Sequence, residues 1–232
     1  MKHFGDITKL NGYDLPIVDI ITGGSPCQDL SVAGNRKGLD GERSGLFMEQ
    51  IRIVKEMRSH DTEQLRSRGA DVDFRFVRPK FLVWENVPGA FSSGKPKGAD
   101  FQAVLTEIVK IVNPNAPDVP LPDRGGWSKS GCVMGYGTSG CPFSIAWRVH
   151  DAQFWGAAQE LDGRMLNRGT PQRRKRIALV ADFAGLSAPE ILFERKGLSW
   201  DFESSGEEGQ GIAGDFETGS GKPDTDDGVI YL

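Results

Sequence analysis

The sequence predicts an α/β fold, and three observations predict it. Short apolar runs of strand length alternate with stretches of helical spacing. Two of the runs hand a chemically reactive residue type to their carboxyl end, the edge where ligands bind in open α/β sheets. A chain of 232 residues with 38% hydrophobic residues and 5 Trp is long and apolar enough for one real core.

The first run, 17–21, reads as a buried strand and breaks at Gly23-Gly24, where the chain can turn sharply. Pro26 fixes its own backbone angle and restrains Ser25, so Cys27 sits on a stiff elbow at the strand's carboxyl end. A thiol so placed suits a nucleophile. A lone cysteine also serves often as a small core residue, and the elbow alone separates the two only modestly. Residues 29–44 are polar and Gly-rich, the composition of a surface loop. Residues 45–58 carry Leu46, Phe47, Ile51, Val54 and Met57 at helical spacing, with Ser44 as a candidate N-cap. The charged stretch 59–77 reads as a surface insertion or a continuation of that helix.

A second strand, 80–84, delivers Glu85 and Asn86 to its carboxyl end before a turn at Val87-Pro88-Gly89. A carboxylate behind four apolar residues is expected to be poorly solvated. Helical spacing returns over 100–112. Residues 113–142 are rich in Pro and Gly and read as a long loop, functional or disordered. Cys132 and Cys141 within it, with only His150 nearby, make no zinc-like ligand set, and no metal is expected. A third strand at 143–149 is followed by Asp151-Ala152-Gln153-Phe154-Trp155-Gly156, an intervening stretch 157–170, then Gln172-Arg173-Arg174-Lys175-Arg176 and a fourth strand at 177–181. Alternate positions of an extended chain share a face, so Arg174 and Arg176 point the same way. Residues 189–194 form a short strand or helix. From 198 on, Gly, Ser, Asp and Glu dominate, which predicts a disordered tail. The organisation is therefore one domain over 1–197 and an acidic tail over 198–232.

The net charge of -4 conceals an asymmetry. The tail holds nine acids and one lysine, which leaves the first 197 residues mildly basic at +4. That distribution is compatible with a DNA partner. No apolar run approaches the ~20 residues of a membrane span. The start has no signal-like apolar region, and three cysteines without paired spacing fit a reducing compartment. A cytoplasmic setting, in a bacterial or phage-infected cell, is expected. A cysteine hydrolase using Cys27 with His60 or His150 is disfavoured, because neither histidine lies in a site-like context.

Three segments, in order, resemble the DNA (cytosine-5)-methyltransferases. Gly23-Gly24-Ser25-Pro26-Cys27-Gln28-Asp29-Leu30-Ser31 resembles that family's nucleophile loop, Trp84-Glu85-Asn86-Val87-Pro88-Gly89 its second catalytic motif, and Gln172 to Arg176 its Gln-x-Arg-x-Arg motif. The resemblance implies a Rossmann-like methyltransferase sheet with flanking helices. It implies S-adenosylmethionine as methyl donor, with Asp6 accepting from the adenine amino group, Ile7 supplying an apolar face and Pro26 lining the site. It implies double-stranded DNA as substrate, with Gln28, Ser31, Arg36, Arg43, Gln172 and Arg176 at the DNA. The chemistry implied is addition of the Cys27 thiolate to carbon 6 of a flipped-out cytosine, which makes carbon 5 able to attack a methyl sulfonium. Glu85 hydrogen-bonds the ring nitrogen and exocyclic amine, while Asn86 and Arg174 orient base and acid. A role in restriction-modification or phage DNA protection goes with it. The family's amino-terminal cofactor loop and its target-recognition region have no counterpart here. The second expectation is therefore an inactive remnant, or one half of a split enzyme that needs a complementary fragment.

Overall fold

A computed structural model describes residues 2–24, 45–69, 71–123, 126–154, 158–161, 164–167, 172–193 and 228–231. Among the described residues there are eight strands: β1 (Ile20–Gly23), β2 (Phe81–Asn86), β3 (Ser130–Tyr136), β4 (Pro142–Asp151), β5 (Ala158–Leu161), β6 (Arg164–Asn167), β7 (Lys175–Asp182) and β8 (Gly228–Tyr231). Among the same residues are the helices α1 (Gly45–Ser67), α2 (Ala99–Val109) and α3 (Ala188–Leu192). The fold is α/β and Rossmann-like. Six strands form one mixed sheet in the order β1-β2-β7-β4-β3-β8, and β5 and β6 form a separate two-stranded sheet.

Strand direction decides what meets at each edge. β1 and β2 are parallel, with Gly23 opposite Trp84. β7 runs antiparallel to both of its neighbours, with Ile177 opposite Asn86 on one side and Lys175 opposite Asp151 on the other. The carboxyl ends of β1, β2 and β4 and the amino end of β7 therefore share one rim.

Alternation along the strands sends side chains to two cores. Leu82 and Trp84, Ile145 and Trp147, and Ile177, Leu179 and Ala181 enter the larger core with Phe47, Ile51 and Val54 of α1 and Val104, Leu105 and Ile108 of α2. Phe101 sits at its centre, edge-on to Phe91, Trp127 and Trp147 with ring centroids 4.7, 5.2 and 5.5 Å away. Edge-to-face geometry matches the ring quadrupoles and adds about 0.5–1.5 kcal/mol per pair beyond burial. The opposite face is smaller, with Cys132, Ala146 and Val180 under Ala188 of α3.

α1 runs past the expected helix of 45–58 to Ser67, so the continuation is helical. Its carboxyl half ties down the approach to β2. Arg58, pushed down to about 10 by burial, remains cationic at neutral pH and donates to Val77 O and Pro79 O. Asp61, 1% exposed, accepts from the backbone N–H of Arg78 at 2.8 Å and pairs with its guanidinium at 3.1 Å. The amino half holds residues 7–12. Glu56 accepts from Gly12 N at 2.7 Å, and Arg52, paired with Glu49 and Glu56, donates to Ile7 O at 3.0 Å.

Three expectations need correction, and one stretch left without assignment acquires structure. The first strand is not buried: β1 lies at the sheet edge with a neighbour on one side only, and Ile20 is 54% exposed. The stretch 113–142 contains β3. Its Gly131 has no side chain because a Cβ there would fall on the Trp147 ring. The stretch 157–170 contains the β5–β6 hairpin. The tail is not wholly without structure, since Gly228–Tyr231 add β8 in parallel to β3. Pairing with a strand already in the sheet supplies the backbone partners that the tail's own composition lacks. Residues 189–194, left between strand and helix, fall largely in α3.

Candidate active site

Glu85 is the penultimate residue of β2, at the shared rim. Its side chain is 51% exposed, so the carboxylate is not withdrawn from water as four preceding apolar residues suggested. The reason is the alternation of the strand: Trp84 points into the larger core, and Glu85 points to the other face, at the strand's end. Asn86 returns to the core side and is 3% exposed, with Oδ1 accepting from Val87 N at 2.8 Å. That bond stiffens the turn directly after the carboxylate.

Glu85 has two distinct neighbours. Its Oε1 forms an ion pair with Arg176 Nε at 2.6 Å. Its Oε2 faces the root of the segment that follows β1: a Cβ placed on Gly24 would lie 3.1 Å from Oε2 and 3.2 Å from Glu85 O. Gly24 thus lets that chain pass directly over the carboxylate. Cys27 is three residues further on. Cys27 itself, with Pro26, Gln28, Ser31, Arg36 and Arg43, and with Ser44, lies outside the described residues.

Of the two arginines, Arg176 is the one that pairs with Glu85. Its position on β7 opposite His150, two residues before Ala178, which pairs with Glu85, puts it on the same face as the carboxylate. Arg174 is exposed and is held through its backbone: its N–H donates to Asp151 Oδ1 at 3.0 Å, and its carbonyl accepts from Ala152 N at 3.1 Å. Gln172 is exposed at the start of the same segment. Asp151 was not among the expected site residues. It is 8% exposed and also accepts from Gln153, so it fixes the entire approach to Arg174 and Arg176. The only sequence signal for it is a carboxylate that closes an apolar strand.

Gln50 was missed as well. It is 7% exposed, on α1, with its Nε2 buried and without a hydrogen-bond partner among the described residues. A Cβ on Gly23 would lie 2.5 Å from that nitrogen. Nothing in a helical pattern marks one glutamine as the residue packed behind the end of β1.

Asp6 and Ile7 lie beside α1 rather than at the Glu85–Arg176 pair. Asp6 caps the short turn Ile7–Lys9, with Oδ1 accepting from Thr8 N at 3.0 Å and Thr8 Oγ1 at 2.9 Å. Those two bonds hold its carboxyl below the usual range, the backbone bond more strongly. Both use Oδ1, so Oδ2 remains exposed toward solvent, and Arg52 fixes the Ile7 carbonyl. A carboxylate oxygen held this way fits the amino group of an adenine. His60 belongs elsewhere: it stacks near Tyr13 with centroids 5.3 Å apart and bonds Gln64 at 2.9 Å.

Residues 1–111 match the family model described as C-5 cytosine-specific DNA methylase. A Lactococcus lactis subsp. cremoris protein named Type II methyltransferase M1.ScrFI is 52% identical over 107 residues, 46% of this chain and 22% of its own length. Bacillus subtilis Type II methyltransferase M.BsuFI is 26% identical over 84% of this chain and 32% of its own. A protein of Escherichia phage P1 named DNA N-6-adenine-methyltransferase is 30% identical over 85% of this chain and 25% of its own. The chain thus spans between a quarter and a third of the longer relatives it matches along most of its length.

Proposed function

We propose that this chain, whose residues 1–111 belong to the C-5 cytosine-specific DNA methylase family, activates carbon 5 of a flipped-out cytosine in DNA for methylation. One observation carries the reading. Glu85 is held by Arg176 through Oε1 while Oε2 faces the root of the Cys27 segment. Acid, guanidinium and the approach to the thiol therefore converge on one rim, although the sequence scatters them over some 150 positions.

The family uses S-adenosylmethionine as its methyl donor, and when bound it supplies an electrophilic methyl group. The chain's own residues prepare the base. The Cys27 thiolate attacks carbon 6 and forms a carbon–sulfur bond, and the electron pair displaced from the 5,6 double bond makes carbon 5 nucleophilic. Glu85 hydrogen-bonds or protonates ring nitrogen 3, which draws charge out of the ring and favours that attack. Its ion pair with Arg176 holds one oxygen and leaves the other for the base. Asn86 locks the backbone after the acid. Arg174, anchored by Asp151, extends from the same rim toward base or phosphate. The sulfur leaves when the proton on carbon 5 is removed. Cytosine must leave the stack for any of this, because the thiol cannot reach carbon 6 inside a duplex.

The phage relative's name gives adenine N-6 as its target. An exocyclic amine carries its own lone pair and needs no thiolate, so the Cys27–Glu85 arrangement favours cytosine. DNA containing 5-fluorocytosine, incubated with the full chain and S-adenosylmethionine, tests this. A denaturation-resistant protein–DNA adduct that Cys27→Ser abolishes is expected; its absence with an intact, folded chain, even after addition of a companion segment, would overturn the reading. An adduct formed only with a companion segment supports the second reading, one half of a split enzyme. Among the described residues β1 has no second neighbour, and Ile20 on it is 54% exposed with Val18 just before it at 39%, which favours such a companion. In either form the role proposed is DNA modification in restriction-modification or phage DNA protection.

A further inference from the structure

We infer that Lys95, Lys97 and Lys129 form a ledge for the DNA phosphate backbone, on the flank of the rim that carries Glu85 and Arg176; the inference rests on the DNA reading above. Three features carry it.

The first is placement. β2 ends at Asn86, and the turn Pro88–Phe91 leads into residues 92–98, which open α2. That loop therefore leaves from the rim of Glu85. Lys129 precedes β3, whose amino end lies at the same rim. Its carbonyl accepts from Val149 N at 2.8 Å, and Val149 is opposite Ile177, the residue after Arg176. Two inter-strand steps of ~4.8 Å put Lys129 about 10 Å from the start of β7. Trp127 ties the two lysine segments together: two residues before Lys129, its indole N–H donates to Gly98 O at 2.9 Å.

The second is charge. Residues 92–98, 126–129 and 172–176 hold Lys95, Lys97, Lys129, Arg173, Arg174, Lys175 and Arg176, and no acid. A quarter of the 28 basic residues thus stand in three short segments at one end of the sheet, in a chain of net charge -4. The three lysines are exposed, and none has an ion-pair partner among the described residues. The carboxylates beside them are engaged or enclosed. Glu85 pairs with Arg176, Asp151 accepts from Arg174 N, and Asp100, in the first turn of α2, is 2% exposed.

The third is stiffness. Gly94 and Gly98 bracket Lys95 and Lys97 at φ +90° and +88°. Gly98 N donates to Ser93 O at 2.9 Å, and Ala99 N to Pro96 O at 3.0 Å. A Cβ on Gly94 would lie 2.7 Å from Asp100 Oδ1, and one on Gly98 would lie 2.9 Å from Trp127 Nε1. The loop is therefore held in one shape while its two ammonium groups face water. A backbone fixed in advance has less freedom to lose when a ligand arrives. Unpaired lysines on such a support, beside a DNA site, suit phosphates, which they meet without reading the bases.

The test measures binding of the full chain to two fluorescein-labelled duplexes of unrelated sequence by anisotropy, over a range of salt concentrations. The variants are Lys95→Gln/Lys97→Gln and the same pair with Lys129→Gln. The control is Arg68→Gln, an exposed cation just past α1, at the end of that helix that holds the approach to β2. The double variant should bind about tenfold more weakly and reduce the steepness of log affinity against log salt by about 2, and the triple variant by about 3. Both duplexes should show the same loss. Arg68→Gln should match the wild type. Unchanged affinity and slope in the lysine variants, with a wild type that binds, would overturn the inference and leave the methyltransferase reading standing. A loss confined to one duplex would show base readout and would overturn it too. A wild type that binds neither duplex would overturn the inference and, if no 5-fluorocytosine adduct forms either, the DNA reading with it.

Discussion

Gly23→Ala probes the support behind the nucleophile elbow. Gly23 ends β1, and a Cβ there would lie 2.5 Å from Gln50 Nε2 and 2.7 Å from both Cδ and Oε1 of the same side chain. The strand backbone accepts alanine, so the cost is steric alone. Gln50 is 7% exposed and cannot swing into water without opening the α1–sheet contact. Overpacking of this kind costs about 1–3 kcal/mol. In a chain of this size each kcal/mol lowers the melting temperature by about 2–4 °C. Gln50→Ala should relieve it. It removes the obstructing amide together with a buried Nε2 that has no partner among the described residues, so its own cost is small for a buried truncation. The alanine methyl at 23 then enters vacated space. Chemical denaturation of wild type, both single variants and the double variant should give a favourable coupling of about 1–2 kcal/mol. Equal cost of Gly23→Ala in the two backgrounds would show that Gln50 does not press on the elbow and would refute the argument.

Three further outcomes are expected. Arg176→Ala removes an ion pair whose carboxylate is half-exposed, so unfolding free energy should change by no more than about 1 kcal/mol. Adduct formation with 5-fluorocytosine DNA should fall by about a hundredfold, because Glu85 loses the group that aims it. Asp61→Ala strips a buried acceptor from the backbone of Arg78 and should cost about 3 kcal/mol, read by urea unfolding. Thr8→Ala removes one of the two bonds that depress the Asp6 carboxyl. Its titration, followed by NMR, should move up toward 3.8 while remaining below it, since the backbone bond persists. A depressed carboxyl supports its turn above the ordinary pKa and releases it as pH falls through the depressed value. The variant should therefore release the Ile7–Lys9 turn at a higher pH than the wild type.

What the sequence discloses follows from where the physical cause lies. β2 and β7 are visible because a strand covered on both faces is a continuous apolar run. α1 and α2 are visible because their apolar positions recur at helical spacing. β3 is hidden because Gly131 and Gly135 read as loop residues, and the ring of Trp147 that requires the first of them is sixteen positions away. β8 is hidden because its cause is a ladder to β3, nearly a hundred positions distant. The hairpin is the instructive miss, since Asp162-Gly163 between two four-residue segments is a local turn signal that spacing could have found. At the site, Glu85, Asn86 and the basic cluster announce themselves by type and position. That Arg176 and not Arg174 grips the carboxylate is a matter of register, and register is fixed by pairing across the sheet.

The antiparallel insertion of β7 has a mechanical corollary. Its backbone is bonded to β2 on one flank and β4 on the other, so Arg176 and, through it, one oxygen of Glu85 are held by a strand paired on both sides. Among the described residues β1 is paired on one flank only and lies at the outer margin. Amide exchange should be slowest along 177–181 and faster along 20–23. On the proposed reading, an incoming pyrimidine would meet the guanidinium side as the fixed wall, and accommodation would fall to the flank of β1.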